Sequence, residues 1–325
     1  MTDYPRKSKV WKRQEVFGKW QNFIGIFVVI ILLFAILSGV LKSVFLPSKI
    51  SKLSWEGRSA FTIVLATQPV SVLVYNPSTK RLTLVKLNDD LYVETGDSKK
   101  PLEKLSETAG RGGVDLARVT STILRVPVSN YVVFSDKQSV DFENFEKVFV
   151  GFASLATPVK ILSAKLGITD TNIAQKDIFR LWWQVKSLST QSLNLVNAGG
   201  FSEEIVLSNG DKIMGVDDVS LYELFSKYTE NQKILEEGVE VEVVNASGGV
   251  KDGKLAEDFV LATGARVVDV SFSENPLPNT VIEIGEGSYT ASYLAKIFDC
   301  DIKSSAGLEK GKIRIILGQD FSQKY

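Results

Sequence analysis

Residues 23–41, FIGIFVVIILLFAILSGVL, form an apolar run that no charged residue interrupts. As a helix, this stretch of 19 residues would rise about 28 Å, close to the hydrocarbon thickness of a bilayer. A buried soluble helix would keep a polar face, and this run has none. The segment before it holds Arg6, Lys7, Lys9, Lys12, Arg13 and Lys19 against Asp3 and Glu15, a bias that predicts a cytoplasmic N-terminus. A cleaved signal peptide would have a shorter apolar core and a small-residue cleavage site, which the following LKSVFLPSKISKL lacks. The expectation is a single-pass cell-membrane protein with about 280 residues outside the cytoplasm.

Composition narrows the chemistry. The chain has no histidine, which removes the commonest general base, the Ser-His and Cys-His nucleophile systems and histidine-ligated metal sites. Cys300 is the single cysteine, so no intrachain disulfide can form, and its simplest role is a small core residue. Lysine plus arginine balance aspartate plus glutamate at 38 each, and no nucleic-acid-sized basic face is implied.

After a juxtamembrane linker at 42–57, strand patterns cover 61–66, 70–75 and 81–87, with Asn76-Pro77-Ser78-Thr79 as the turn of a hairpin. Residues 91–94 are read as extending that sheet. Two helices follow, the second aligning Leu116, Val119 and Ile123 and stopping before Pro127. A strand is expected at 131–134. Phe142, Phe145, Phe149 and Phe152 then form a helical aromatic stripe ended by Pro158. Helices at 159–166 and 170–186, a strand at 193–196, a turn at 208–211 and a helix at 219–228 complete the larger unit. The polar stretch 229–238 reads as a linker. Beyond it come strands at 239–244, 266–270, 280–284 and 312–317, with helices at 253–263 and after Ser288.

Two stretches resemble the LytR–CpsA–Psr family. VEVVNASGGVKDGKLAEDFVLATGARVVDV, TVIEIGEGSYTASYLAKIF and IRIILGQDF, within residues 239–321, resemble the C-terminal domain carried by many of its members. VYNPSTKRLTLVKLNDDLYVE and KLSETAGRGGVDLARVTSTILRVPVSNYVVFSD, within 61–197, resemble its catalytic domain in degenerate form. The resemblance implies an α/β fold: a single transmembrane helix (23–41, behind a basic tail at 1–22), a divergent LytR–CpsA–Psr-like α/β domain (58–228), and a small C-terminal α/β domain (239–322). It also implies bacterial cell-wall biology. In that family, arginines grip a polyprenyl pyrophosphate and acidic residues hold Mg²⁺ while a glycopolymer is transferred.

The chain departs from the family at those residues. Leu87-Asn88-Asp89-Asp90 stands where the family has Ile-Pro-Arg-Asp, so Asp89 occupies the arginine position and Asp90 the aspartate position. The loop after the first strand passes through Gln68-Pro69 without the usual Arg-Ser/Thr-Asp element, and the later arginine-rich segment has no counterpart. A carboxylate in place of a guanidinium turns attraction for a pyrophosphate into repulsion wherever solvent is excluded.

Five residues are therefore candidates for ligand binding. Asp89 and Asp90, with Glu94 nearby, fit a divalent-cation corner, with Asp90 as the candidate ligand, or the acidic turn favoured here. Arg111, followed by Gly112-Gly113, fits a phosphate cradle at a helix start or a plain helix-to-helix turn. Asn245 and Ser247, in Asn-Ala-Ser-Gly-Gly, fit a glycan or peptide contact or a capped strand-to-helix loop. The aromatic stripe fits a core or a polyprenyl tunnel, and Trp182-Trp183 a sugar platform or a core-and-surface split. The expectation is a non-catalytic, membrane-anchored scaffold or binder of peptidoglycan, glycopolymer or polyprenyl lipid, with no cofactor and no nucleic-acid partner. Its alternative is an active glycopolymer phosphotransferase, Mg²⁺-dependent, with relocated cations from Lys86, Arg111, Arg118 or Arg125. A bare spacer would have no pocket in its middle domain.

Overall fold

Alternation along short apolar strands builds the larger half in the computed structural model, which describes residues 54–94, 102–134, 142–154, 156–162, 167–208 and 210–325. Its strands are β1 (Phe61–Ala66), β2 (Ser71–Asn76), β3 (Arg81–Lys86), β4 (Tyr92–Glu94), β5 (Leu102–Lys104), β6 (Asn130–Phe134), β7 (Ile168–Thr171), β8 (Leu193–Asn197), β9 (Ser202–Val206) and β10 (Lys212–Val216). The main sheet runs β7-β6-β1-β2-β3-β8. Along β1, Phe61 and Ile63 join one core and Val64 and Ala66 the other, because successive strand side chains point to opposite faces. Helices Gly113–Leu124 and Asp218–Thr229 contribute to the second core, while Phe142–Ala153 and Gln175–Val185 contribute to the first. The result is a sheet covered on both sides. Phe145 and Phe149 are buried with Phe61, Leu84 and Val132, so these two residues of the aromatic stripe serve as core.

The β2–β3 hairpin is as expected. Asn76 closes it by accepting the Ser78 N–H at 3.0 Å and the Thr79 N–H at 3.4 Å. Residues 91–94 do not extend the main sheet. The outer side of β3 is already occupied by parallel β8, so β4 pairs instead with β5 in a separate ribbon, and Leu91 bridges to Met214. The helix expected at 170–186 starts later, at Gln175. The Thr171 hydroxyl donates to the Tyr131 carbonyl at 2.6 Å, and Asn172 accepts the Tyr131 N–H at 3.0 Å, drawing 168–171 into an edge strand. β9 and β10 pair as an antiparallel hairpin, closed by the Leu207 N–H donating to the Asp211 carbonyl at 2.8 Å, which apolar alternation did not signal; Asn209 of the turn expected at 208–211 lies outside the described residues. The apolar run at 23–41 and the tail before it lie outside the described residues. Among the described residues no helix is long and apolar enough to cross a membrane.

The C-terminal half holds β11 (Glu240–Asn245), β12 (Arg266–Phe272), β13 (Val281–Ile284), β14 (Asp301–Ser304) and β15 (Lys312–Leu317), ordered β12-β11-β15-β13-β14. One face buries Val241, Val243, Ile313 and Ile315 among helices Asp252–Ala262, Tyr289–Phe298 and Gln319–Lys324. The opposite face carries a charge ladder in which Arg314 lies 2.8 Å from Glu242 and 3.7 Å from Glu283. β14 was not evident in the sequence because all four of its residues are exposed and show no alternation.

The stretch 229–238 is no bare linker. It contains the helix Gln232–Glu237, anchored by buried Ile234 and ended by Gly238 in the left-handed region, φ 58°. Its polar side chains make caps. Asn231 accepts the Lys233 N–H at 3.0 Å, and Glu237 accepts the N–H groups of Tyr289 and Thr290 at 2.8 and 2.7 Å, at the start of the next helix. Burial raises the Glu237 pKa, but the Thr290 hydroxyl and the two N–H groups outweigh it, leaving the carboxyl below its ordinary 4.5. Its stabilising contribution is therefore present above the unfolded value and is lost as the pH falls through the lower folded value. Glu237→Gln is expected to cost about 1 kcal/mol at neutral pH and to converge with the native chain in acid, measured by urea unfolding from pH 7 to pH 3.

Candidate functional site

The Asn88–Asp90 corner turns the chain out of β3. Asp89 is half-buried, and its Oδ1 accepts the Val70 N–H at 2.8 Å, tying this corner to the start of β2. An arginine here would have no acceptor for that donor. Asn88 Oδ1 accepts the Asp90 N–H at 3.0 Å. Asp90 itself points to solvent, its side chain 71% exposed, with its Oδ1 2.8 Å from the Lys104 ammonium. The hydrogen bond to Asp90 holds the Lys104 pKa above its ordinary value. Glu94 pairs with Lys251 at 3.2 Å. Among the described residues no group of three or more carboxylates or thiols gathers at metal-ligand spacing. A divalent cation on Asp90 would meet an ammonium on the same oxygen, so these residues do not fit a Mg²⁺ centre.

Arg111 ends the helix Leu105–Arg111 and forms an ion pair with Glu103 of β5. Glu103 is 3% exposed, so the guanidinium neutralises a carboxylate that burial would otherwise penalise. Glu103 and Lys104 are successive strand residues whose side chains leave opposite faces of the ribbon. The Arg111 pair and the Asp90 pair thus lie on opposite faces of β5 and do not share one cleft.

Two of the other candidate cations, Arg118 and Arg125, also have carboxylate partners. Arg118 lies 3.6 Å from Asp115 one helical turn away. Arg125, in the left-handed region at φ 52°, reaches Asp258 at 3.3 Å, where Lys254 also approaches to 3.0 Å. Asp258 is 5% exposed. Burial pushes its carboxyl up, partly countered by Lys254 and Arg125. That cluster ties the two halves together, beside the hydrogen bond from the Thr229 hydroxyl to the Ala262 carbonyl at 2.9 Å. Lys86 ends β3, with Ser71 and Asn197 as its strand partners.

Asn245 and Ser247 come together in the strand-to-helix loop. Asn245 Oδ1 accepts the Ser247 N–H at 3.1 Å, its amide donates to the Gly249 carbonyl at 2.7 Å, and the Ser247 hydroxyl sits 2.5 Å from Asp252 Oδ2. Both side chains are buried, and Gly248 supplies the positive φ of the turn, +89°. Their hydrogen-bonding groups face each other, which is the capped-loop arrangement.

A shallow cleft of about 70 Å³, not foreseen from the sequence, lies where the two halves meet, lined by Trp55, Ser59, Asn130, Thr263, Tyr293 and Lys296. Lys296 pairs with Glu56 at 2.9 Å at this cleft, and burial pushes the Tyr293 hydroxyl well above its ordinary range. No short motif marks it, since its lining comes from several segments remote from one another in the chain. Trp182 and Trp183 divide as core and surface: Trp182 is buried and donates its indole N–H to Ser154, while Trp183 is exposed. Cys300 is partly buried, and burial with the nearby Asp320 pushes its thiol up to about 12, which keeps it a protonated packing residue.

No protein-family model and no curated protein matches the sequence. Among solved structures, the chain is similar to B. subtilis TagV, at 13% identity over 51% of this chain and 94% of that one, TM-score 0.39. It is similar to TagT bound to LIIa-WTA, at 14% identity over 52% and 89%, TM-score 0.39. It is also similar to YwtF (TagT), a LytR-CPS2A-psr family protein with bound octaprenyl pyrophosphate lipid, at 14% identity over 52% and 88%, TM-score 0.35.

If Arg111 is committed to Glu103, its removal strands a buried carboxylate. Arg111→Ala should destabilise the protein by roughly 3 kcal/mol in urea unfolding, and adding Glu103→Leu should restore most of the loss. Equal stability of Arg111→Ala and the native chain would instead mark the guanidinium as available for a ligand.

Proposed function

We propose that this chain is a membrane-anchored, extracytoplasmic protein of the bacterial cell envelope, a non-catalytic LytR–CpsA–Psr-like relative that binds wall or polyprenyl-lipid components or acts as a scaffold. The anchor reading rests on the uninterrupted apolar run at 23–41 and its basic flank. The non-catalytic reading rests on one observation above the others. The acid at the family's arginine position is built into the fold as the acceptor of the Val70 N–H. Arg111 and Arg125, two of the cations that a relocated phosphate grip would need, are held by the buried carboxylates of Glu103 and Asp258. Recruiting Arg111 for a pyrophosphate would leave the buried Glu103 carboxylate without that counter-ion, at a cost of about 3–5 kcal/mol, and recruiting Arg125 would leave Asp258 to Lys254 alone. The Arg118–Asp115 pair is more exposed and weaker, and Lys86 at the end of β3 is the remaining candidate cation; a lysine is a point charge without the forked geometry of the paired arginines.

The test is equilibrium binding of the full-length chain in detergent to a polyprenyl pyrophosphate, with and without Mg²⁺, beside co-sedimentation with purified peptidoglycan. The expected outcome is weak, metal-independent lipid binding and retention on peptidoglycan. Tight binding that requires Mg²⁺, or transfer of a glycopolymer to the wall, overturns the non-catalytic reading. No affinity for either material leaves only the spacer role.

A further inference from the structure

The helix Gln175–Val185 has two dissimilar sides. Its inner side buries Asp177, Leu181, Trp182 and Val185. Its outer stripe follows the three- and four-residue steps of one helical face through Lys176, Phe179, Arg180 and Trp183 and continues to Ser187 just past the helix end. Two large aromatics on this stripe meet solvent, Phe179 at 37% and Trp183 at 58% exposure. Its polar members are mainly cationic. The Lys186 ammonium lies 3.2 Å from the centre of the Trp183 ring; the one acid of the helix, Asp177, is buried and pairs with Arg180 at 3.5 Å, and the Arg180 side chain stays 41% exposed. Exposed tryptophan and phenylalanine among lysine and arginine suit the boundary between water and an anionic bilayer, where the rings enter the headgroup layer and the cations meet phosphates.

The described chain also begins on this helix. The backbone N–H of Trp55 hydrogen-bonds the Asp177 carboxylate, and Gln184 donates to the Gly57 carbonyl at 2.9 Å. Only residues 42–53 separate the apolar run from the first described residue. Fully extended, that tether spans at most about 40 Å. The helix that carries these exposed aromatics and cations is therefore hydrogen-bonded to the first described residues after the apolar run.

We infer that the outer face of Gln175–Val185, through Phe179, Trp183, Lys176, Arg180 and Lys186, docks on the anionic lipid surface of the membrane that holds the anchor. This inference rests on the anchored reading above. Docking would fix the orientation of the ectodomain, since a helix face and a tether together remove the free rotation that a tether alone permits.

The experiment uses the full chain reconstituted in phosphatidylcholine vesicles with or without phosphatidylglycerol. A nitroxide is attached at Ser187→Cys in a Cys300→Ser background, with Val250→Cys, on the C-terminal half, as the control. Both labelled positions are exposed, so neither label disturbs a core. The expected result is a label at 187 that is several-fold better shielded from a water-soluble nickel chelate than the label at 250, and more accessible to oxygen. The effect should grow with phosphatidylglycerol and disappear on adding Phe179→Ser and Trp183→Ser. Equal nickel access at both positions overturns the inference, as does shielding without a gain in oxygen, which reports protein rather than lipid. Flotation after an alkaline carbonate wash separates the two readings. A chain that floats with its 187 label in water refutes the docking alone, and a chain that does not float refutes the anchor and the docking together.

Discussion

The larger half depends on a sheet buried on both faces. β1 has parallel β6 on one side and antiparallel β2 on the other, and its side chains alternate between two hydrophobic cores. A strand in that position tolerates few polar side chains, so charged chemistry is pushed to strand ends and crossovers. The corner after β3, the β4–β5 ribbon and the start of Gly113–Leu124 are such places, and the candidate residues Asp89, Asp90 and Arg111 all fall there.

The charges are spent on holding the molecule together. Glu103 and Asp258 are nearly fully buried, and each retains a cation because an unpaired carboxylate in such surroundings is costly. Arg125 spans the two halves to reach Asp258, and Asn76 of the β2–β3 hairpin donates to the carbonyls of Tyr228 and Glu230 at 3.0 and 3.1 Å. These contacts make the joint between the halves a packed seam with its own polar network. A guanidinium used in this way acts as a structural counter-ion.

Most of the regular elements were legible in the sequence because their periodicities are strong. Leu116, Val119 and Ile123 are buried on one side of their helix, as their spacing requires, and the strand at 312–317 has the bounds its alternation suggests. The misreadings share a cause. β7, β9 and β14 are polar or exposed strands held by pairing and side-chain hydrogen bonds, which leave no apolar period to read. The helix Gln232–Glu237 was hidden in a polar stretch because its side chains cap other elements and only Ile234 enters the core. For the candidate site, the sequence showed which residue types were present. It did not show that Asp89 would accept the Val70 N–H, nor that Arg111 and Asp90 would be parted by one strand.

What the sequence settled by itself came from local and compositional physics: the absence of histidine chemistry, the single cysteine, and the periods that write strands and helices. The tertiary structure decided which charges are available, because ion pairing depends on distances between segments remote in the chain. Arg125 and Asp258 are 133 residues apart and meet at 3.3 Å. No local pattern encodes such a meeting, and only the packing of one half against the other brings it about.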